Sequence, residues 1–170
     1  ELLSLPAGTA EAAYTADGTA DNGADSEYYY VMKCCGLMLS PCGGIDVNGR
    51  GTLLTTEECY LDPHTQERNP GLGRAEFEAP LNKYLGVTNV FWLAGGVVGD
   101  DTHGHVDDIC RFVDPKTVVL IREDNPYDIN YHALEENWDR IAGLRLEDGS
   151  RPEVVKLPMP GPLHFDGERL

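Results

Sequence analysis

Basic side chains are scarce in this chain: 13 lysines and arginines face 29 aspartates and glutamates, a formal charge of −16 over 170 residues. So acidic a surface repels polyanions, and neither nucleic acid nor an anionic membrane is an expected partner. Long apolar runs are missing too. None approaches the ~20 residues that span a bilayer. The start, Glu1-Leu2-Leu3-Ser4-Leu5-Pro6, has neither the basic n-region nor the apolar h-region of a signal peptide. It also lacks an initiating methionine, which hints at a boundary or processing upstream. Paired C-x-x-C spacing is absent, and the five cysteines (Cys34, Cys35, Cys42, Cys59, Cys110) are odd in number. That disfavours a disulfide framework or a cysteine zinc site, and leads us to expect reduced thiols and a cytoplasmic setting.

What is present describes a globular chain: 41% hydrophobic and 25% charged residues, enough for one ordinary domain or a piece of a larger one. Residues 1–27, rich in Ala, Gly, Thr, Asp and Ser, read as a flexible tail. Tyr28-Tyr29-Tyr30-Val31-Met32 suits a strand, and Gly36–Leu39 is too short to assign. From Gly43 the pattern sharpens. Ile45-Asp46-Val47 and Thr52–Thr56 flank Asn48-Gly49-Arg50-Gly51, a hairpin signal because Asn-Gly accepts positive φ. Phe77, Leu81, Tyr84 and Leu85 follow at helical spacing, ended by Gly86 and marred by Pro80, which should kink the helix or delay its start. Val87–Leu93 reads as a buried strand.

The same order recurs. His105–Val113 and Thr117–Ile121 predict two strands around Asp114-Pro115. Tyr131, Leu134, Trp138 and Ile141 predict a helix ended by Gly143, and Val154–Leu157 the next strand. Gly44-Ile45-Asp46 and His105-Val106-Asp107 match 61 residues apart. The expectation is a repeated ββαβ unit, radially or barrel-like arranged.

The densest chemistry is Gly99-Asp100-Asp101-Thr102-His103-Gly104-His105-Val106-Asp107-Asp108, with four aspartates and two of the five histidines. On a strand beginning near His105, the side chains of His105 and Asp107 share a face, their Cα atoms about 6.5–7 Å apart. Val106, Cys110 and Phe112 take the other. Equally, this is an ordinary solvated acidic loop leading into a strand.

Two chemistries suit the stretch. Thr102-His103-Gly104-His105-Val106-Asp107-Asp108 is close to the T-H-x-H-x-D-H zinc run of the metallo-β-lactamase fold, with Asp108 where the last histidine belongs; His132 or His164 would have to complete such a site. Alternatively, Asp107 accepts two hydrogen bonds from a planar guanidinium, and His105 protonates departing ammonia and then activates water. That second chemistry also needs a thiolate to attack the guanidinium carbon.

The run from Gly43 to Cys59 (Gly-Gly-Ile-Asp-Val-Asn-Gly-Arg-Gly-Thr-Leu-Leu-Thr-Thr-Glu-Glu-Cys) resembles the agmatine deiminase branch of the peptidylarginine deiminase-type enzymes. So do Arg68-Asn69-Pro70, Tyr84-Leu85-Gly86-Val87, Trp92-Leu93, Gly99–Asp107 and Pro158–Leu163, in order over residues 43–165. The resemblance implies a pentein-like five-bladed α/β propeller of ββαβ modules, of which this chain would carry part. It implies hydrolysis of agmatine, a small cationic guanidino substrate, to N-carbamoylputrescine and ammonia in polyamine biosynthesis, with no metal or other cofactor. Position by position, His105 matches the catalytic histidine, Asp107 the guanidinium-binding aspartate, and Asp101 an acidic loop position suited to substrate contact. Asp46, Cys59, Asn69 and Cys110 are expected to be structural.

The departures are specific. The family's early Trp-x-Arg-Asp-x-Gly-Pro segment has no counterpart in residues 1–42, and Cys42-Gly43-Gly44 stands where Glu-Gly-Gly is usual. The segment with the nucleophilic cysteine belongs beyond Leu170. The expectation is therefore an N-terminal segment, 1–42, and a partial deiminase-like domain, 43–170, inactive by itself and open to self-association through unpaired strand edges. A metallohydrolase and a non-catalytic α/β binding module remain the alternatives.

Overall fold

The computed structural model describes residues 42–64, 67–166 and 168–169. The tail at 1–27, the strand at Tyr28–Met32 and the Gly36–Leu39 stretch lie outside the described residues. Within them the chain forms two copies of one unit. In the first, a 3-10 turn (Cys42–Gly44) leads into β1 (Asp46–Val47) and β2 (Thr52–Thr56), the short helix α1 (Glu57–Leu61), α2 (Arg74–Leu85) and β3 (Asn89–Leu93). In the second, a 3-10 turn (Val106–Asp108) leads into β4 (Cys110–Asp114), β5 (Thr117–Arg122), α3 (Tyr131–Ile141) and β6 (Glu153–Pro158). A two-stranded ribbon, β7 (His164–Phe165) and β8 (Glu168–Arg169), follows.

Each unit builds a three-stranded sheet on the same plan: an antiparallel hairpin, then a helical crossover to a parallel strand. In the first sheet Leu54 pairs with Asp46 on one side and Phe91 on the other; in the second, Val119 pairs with Arg111 and Val155. The expected ββαβ repeat is therefore present, but its spacing is not 61 residues. The two 3-10 turns begin 64 residues apart, at Cys42 and Val106, and the middle strands begin 65 apart, at Thr52 and Thr117. The 61-residue match set His105 against Gly44, whereas the fold sets Asp108 there. No closed ring of strands forms among the described residues.

β2 shows why the units stay together. All five of its residues are buried, and successive side chains face opposite ways. Leu53 packs with Cys59, Tyr60, Phe77, Leu81, Val87 and Trp92 under α2, while Leu54, with Leu93 of β3, packs with Val106, Ile109, Val118, Leu120 and Leu134 of the second unit. Polar ties reinforce the joint. Phe112 donates its N–H to Asp46 Oδ2 at 2.6 Å, and Arg111 Nε lies 3.3 Å from Asp46 Oδ1. Asn48 Nδ2 and Thr52 Oγ1 both donate to Glu147 Oε2, at 2.8 and 2.7 Å. Cys59, Asn69 and Cys110 are buried, and Asp46 is engaged by Phe112 and Arg111.

The helices meet the local expectations in part. α2 is continuous from Arg74 through Pro80 to Leu85, so Pro80 does not delay its start; burial of Phe77 and Leu81 on either side outweighs the hydrogen bond Pro80 cannot donate. Gly86 ends it in the left-handed region (φ 67) as expected, but Leu85 is exposed rather than core. α3 ends at Ile141, just ahead of Gly143 as expected; its cap Ala142 stays right-handed, and Gly143 N–H closes a tighter turn onto Arg140 O at 2.9 Å.

Candidate active site

The acidic loop is shaped by glycine and by buried polar groups from three directions. His103 (φ 60) and Gly104 (φ 75) are both left-handed, a double reversal that turns the chain sharply ahead of His105. A non-glycine residue reaches that region at a cost, so it must be held there. Thr56 Oγ1 donates to the Gly104 carbonyl, and Asp100 accepts the N–H groups of Thr102 and Gly104, both at 2.7 Å. A Cβ on Gly104 would meet Glu58 below 3.0 Å, so only glycine fits over that carboxylate. Glu58 Oε2 in turn accepts Gly96 N–H at 2.7 Å. From α3, Asn137 accepts Ala94 N–H and donates to Gly95 O, both at 2.8 Å, and Asn130 accepts Val98 N–H at 2.8 Å. The loop is fastened along its whole length.

His105 is not the start of a strand. It caps the 3-10 turn Val106–Asp108, and β4 begins only at Cys110. The turn wins because Val106 drops into the shared core, fully buried, while Ile109 N–H returns to Val106 O at 3.1 Å. The pairing expected from strand alternation nevertheless appears, by a different route: in the tight turn His105 Nδ1 and Asp107 Oδ1 come within 3.8 Å. That is an ion-pair distance, too long for a hydrogen bond. Val106 and Phe112 pack together into the core as expected.

Gly43, from the first unit's 3-10 turn, forms the facing wall. A Cβ there would lie within 3.0 Å of His105 Nδ1 and 2.6 and 2.7 Å from the Asp107 carboxylate oxygens. The two equivalent turns therefore meet at the His105–Asp107 pair, which lies at the junction between the repeats.

The pair differs in environment. The His105 side chain is 12% exposed and that of Asp107 33%, so the carboxylate can meet an incoming ligand. Burial, aided by the nearby Arg68 cation, lowers the His105 pKa against the opposing pull of Asp107, Asp100 and Asp108. The shift favours the neutral imidazole, and its Nε2 has no hydrogen-bond partner among the described residues. Burial alone would raise the Asp100 carboxyl, but the hydrogen bonds from Thr102 and Gly104, with His105 nearby, hold it below its usual range. Asp108 moves the other way, raised by burial and by the charges of Asp100 and Asp107.

Asp101 lies exposed on the same loop. Its neighbour Asp100 does the structural work, a division that two adjacent aspartates do not reveal in sequence. Glu58, Arg68, Asn130 and Asn137 were also not singled out. Asn137 alone left a signal, lying beside Leu134, Trp138 and Ile141 on the face α3 buries. His103 turns to other carboxylates, with Nε2 3.0 Å from Asp62 and Nδ1 3.6 Å from Glu58. The two histidines thus engage different partners, and among the described residues no group of three or more His, Cys, Asp or Glu side chains is placed to hold a metal ion. Burial pushes the thiols of Cys59 and Cys110 up to about 12, so neither supplies a thiolate. A cleft of about 720 Å³ opens elsewhere, between Asp46, Arg50, Leu85 and Val87, and includes neither His105 nor Asp107.

Comparison with known proteins places the chain in a family. The model of the Porphyromonas-type peptidyl-arginine deiminases matches residues 11–170, beginning inside the segment that lacks the quoted motifs. Agmatine deiminase of Medicago truncatula is 44% identical over 72% of this chain, and that of Pseudomonas fluorescens 43% over 74%. These alignments cover 32% and 33% of the relatives, so the chain spans about a third of their length. Among solved structures, an agmatine deiminase of Enterococcus faecalis superposes with a TM-score of 0.70 at 32% identity, covering 78% of this chain and 36% of that one. One of C. jejuni with substrate bound gives 0.69 at 29%, covering 78% and 38%. The chain belongs to the Porphyromonas-type peptidyl-arginine deiminase family.

Proposed function

We propose that this chain carries the guanidinium-holding and proton-transferring part of an agmatine deiminase-type site, with His105 and Asp107 as catalytic residues and Asp101 as a further substrate contact. The observation that carries the reading is the convergence of a buried neutral imidazole and a half-exposed carboxylate across the Gly43 wall. Asp107 accepts two N–H groups from the planar cation, the strongest common pairing for it. In the full reaction the neutral His105 takes the proton of a cysteine thiol, and the resulting thiolate attacks the guanidinium carbon and forms a C–S bond. The C–N bond breaks as the imidazolium of His105 hands its proton to the departing amine, which leaves as ammonia. Water then attacks, His105 takes its proton, and the C–S bond breaks to give N-carbamoylputrescine and restore the thiolate. No step needs a metal or another cofactor.

The same reading makes the two ββαβ units part of a pentein-like propeller, with 43–170 as the domain and 1–42 as a separate segment. It assigns the reaction to polyamine biosynthesis in the cytoplasm. It also expects the 170-residue polypeptide, by itself, to be inactive. The Cys59 and Cys110 thiols are buried and protonated, and proton transfer alone supplies only about 10²–10⁴-fold, short of the ~10⁶-fold typical of an enzyme.

An ammonia-release assay with agmatine, beside Asp107→Asn, tests this. The expected result is no release above background in either. Turnover in the wild-type chain that vanishes in Asp107→Asn would overturn the inactivity and place a nucleophile within the chain, Cys42 being the first to substitute.

A further inference from the structure

Arg68 lies well apart in sequence from the His105 loop, yet its guanidinium reaches the loop directly. Nη1 donates to the Cys59 carbonyl at 2.7 Å and Nη2 to the Thr102 carbonyl at 2.6 Å. The first acceptor has lost its usual donor. Cys59 lies in the five-residue helix α1, where its carbonyl would ordinarily receive the N–H of residue 63. Residue 63 is proline and has none. Thr102 immediately precedes His103, the non-glycine residue held at φ 60. The fork therefore spans from the end of α1 to the point where the loop reverses ahead of His105. A planar guanidinium makes two such bonds at fixed separation, and a lysine ammonium does not.

We propose that Arg68 is the positioning residue of the His105 loop, tying the α1 carbonyl to the Thr102 carbonyl and so setting where the imidazole is presented. The inference rests on the acid–base role proposed for His105. The groups that face His105 are the Arg68 cation from the segment after α1, Asp100 from its own loop, and Asp107 and Asp108 from the 3-10 turn. Arg68 is a cation set against those three carboxylates; after burial it is the main influence favouring the neutral imidazole, and removing its charge leaves the carboxylates to stabilise the imidazolium.

The test is an NMR titration of the His105 ring in the full 170-residue chain, wild type, Arg68→Lys and Arg68→Gln, with His105→Asn to assign the signals. Both substitutions remove the fork, but only Lys keeps the charge. The His105 titration should move to higher pH in Arg68→Gln and stay lower in Arg68→Lys. A merely structural arginine would lower thermal stability in both without separating their titrations, and coincident titrations overturn the proposal. Should Arg68→Gln not fold, Arg68→Lys against wild type still decides: loss of the fork should move the amide signals of Thr102 and Gly104 and the ring signals of His105, and unchanged signals overturn the proposal. Agmatine is added in a separate series. If the variants separate while wild type binds no agmatine, the positioning role stands and the functional reading fails.

Discussion

A side chain on Gly43 and the present position of His105 are mutually exclusive. The Cβ that any other residue would add at Gly43 falls within 3.0 Å of His105 Nδ1 and 2.6 Å from Asp107 Oδ1. Gly43→Ala should therefore push the pair apart, costing about 1–3 kcal/mol of stability as overpacking does. Urea denaturation and an agmatine titration check this together. Full stability with unchanged ligand binding would show that the turns separate freely.

Acid should loosen the fold through His105. Its pKa is lowered in the folded chain from the ordinary 6.5 by burial and Arg68, so between the two values the unfolded chain binds the extra proton. The stabilisation is complete above about 6.5 and is lost as pH falls through the folded pKa. Asp100, also lowered, loses its share only at more acid pH; Asp108, raised, gives its stabilisation at low pH and loses it as pH rises through its folded value. Thermal melting between pH 7 and pH 5 should show a slope that is smaller in His105→Gln. Equal slopes would contradict the assignment.

Asn137 bridges α3 to the strand exit that feeds the site loop. Asn137→Ala strands the Ala94 N–H and Gly95 carbonyl, and should cost about 2–4 kcal/mol in urea denaturation, since each orphaned buried group costs roughly 1–3 kcal/mol. A loss below 1 kcal/mol would mean that solvent reaches these groups.

Pro80 gives the opposite sign. Restoring an N–H inside α2 with Pro80→Ala should raise stability by about 1–3 kcal/mol, the helix-interior penalty of proline less the entropy it removes from the unfolded chain. An unchanged or lower melting temperature would show that the ring is packed productively.

Much of this fold was legible because hydrophobic spacing and turn residues act locally. Asn48-Gly49 marked the first hairpin, Gly86 the end of α2, and Phe77 with Leu81 its buried face. The His105–Asp107 pair was legible in identity but not in geometry. A period-two reading placed both on a strand, whereas burial of Val106 between them pulls the chain into a 3-10 turn. Arg68, Glu58 and Asn130 act across 32 to 38 residues through backbone groups, and no periodicity in one sequence registers a side chain's bond to a distant carbonyl or amide. The repeat spacing slipped from 64 to 61 for a related reason: what the units share is their pattern of hydrogen bonds, with little identity in the turns themselves.

Calorimetric titration of the 170-residue chain with agmatine, and with putrescine as the amine lacking a guanidinium, bears most directly on the central claim. Wild type should bind agmatine weakly and putrescine not measurably, and Asp107→Asn should bind neither. Agmatine binding that persists undiminished in Asp107→Asn, or equal binding of putrescine, would contradict Asp107 as the group that holds the guanidinium.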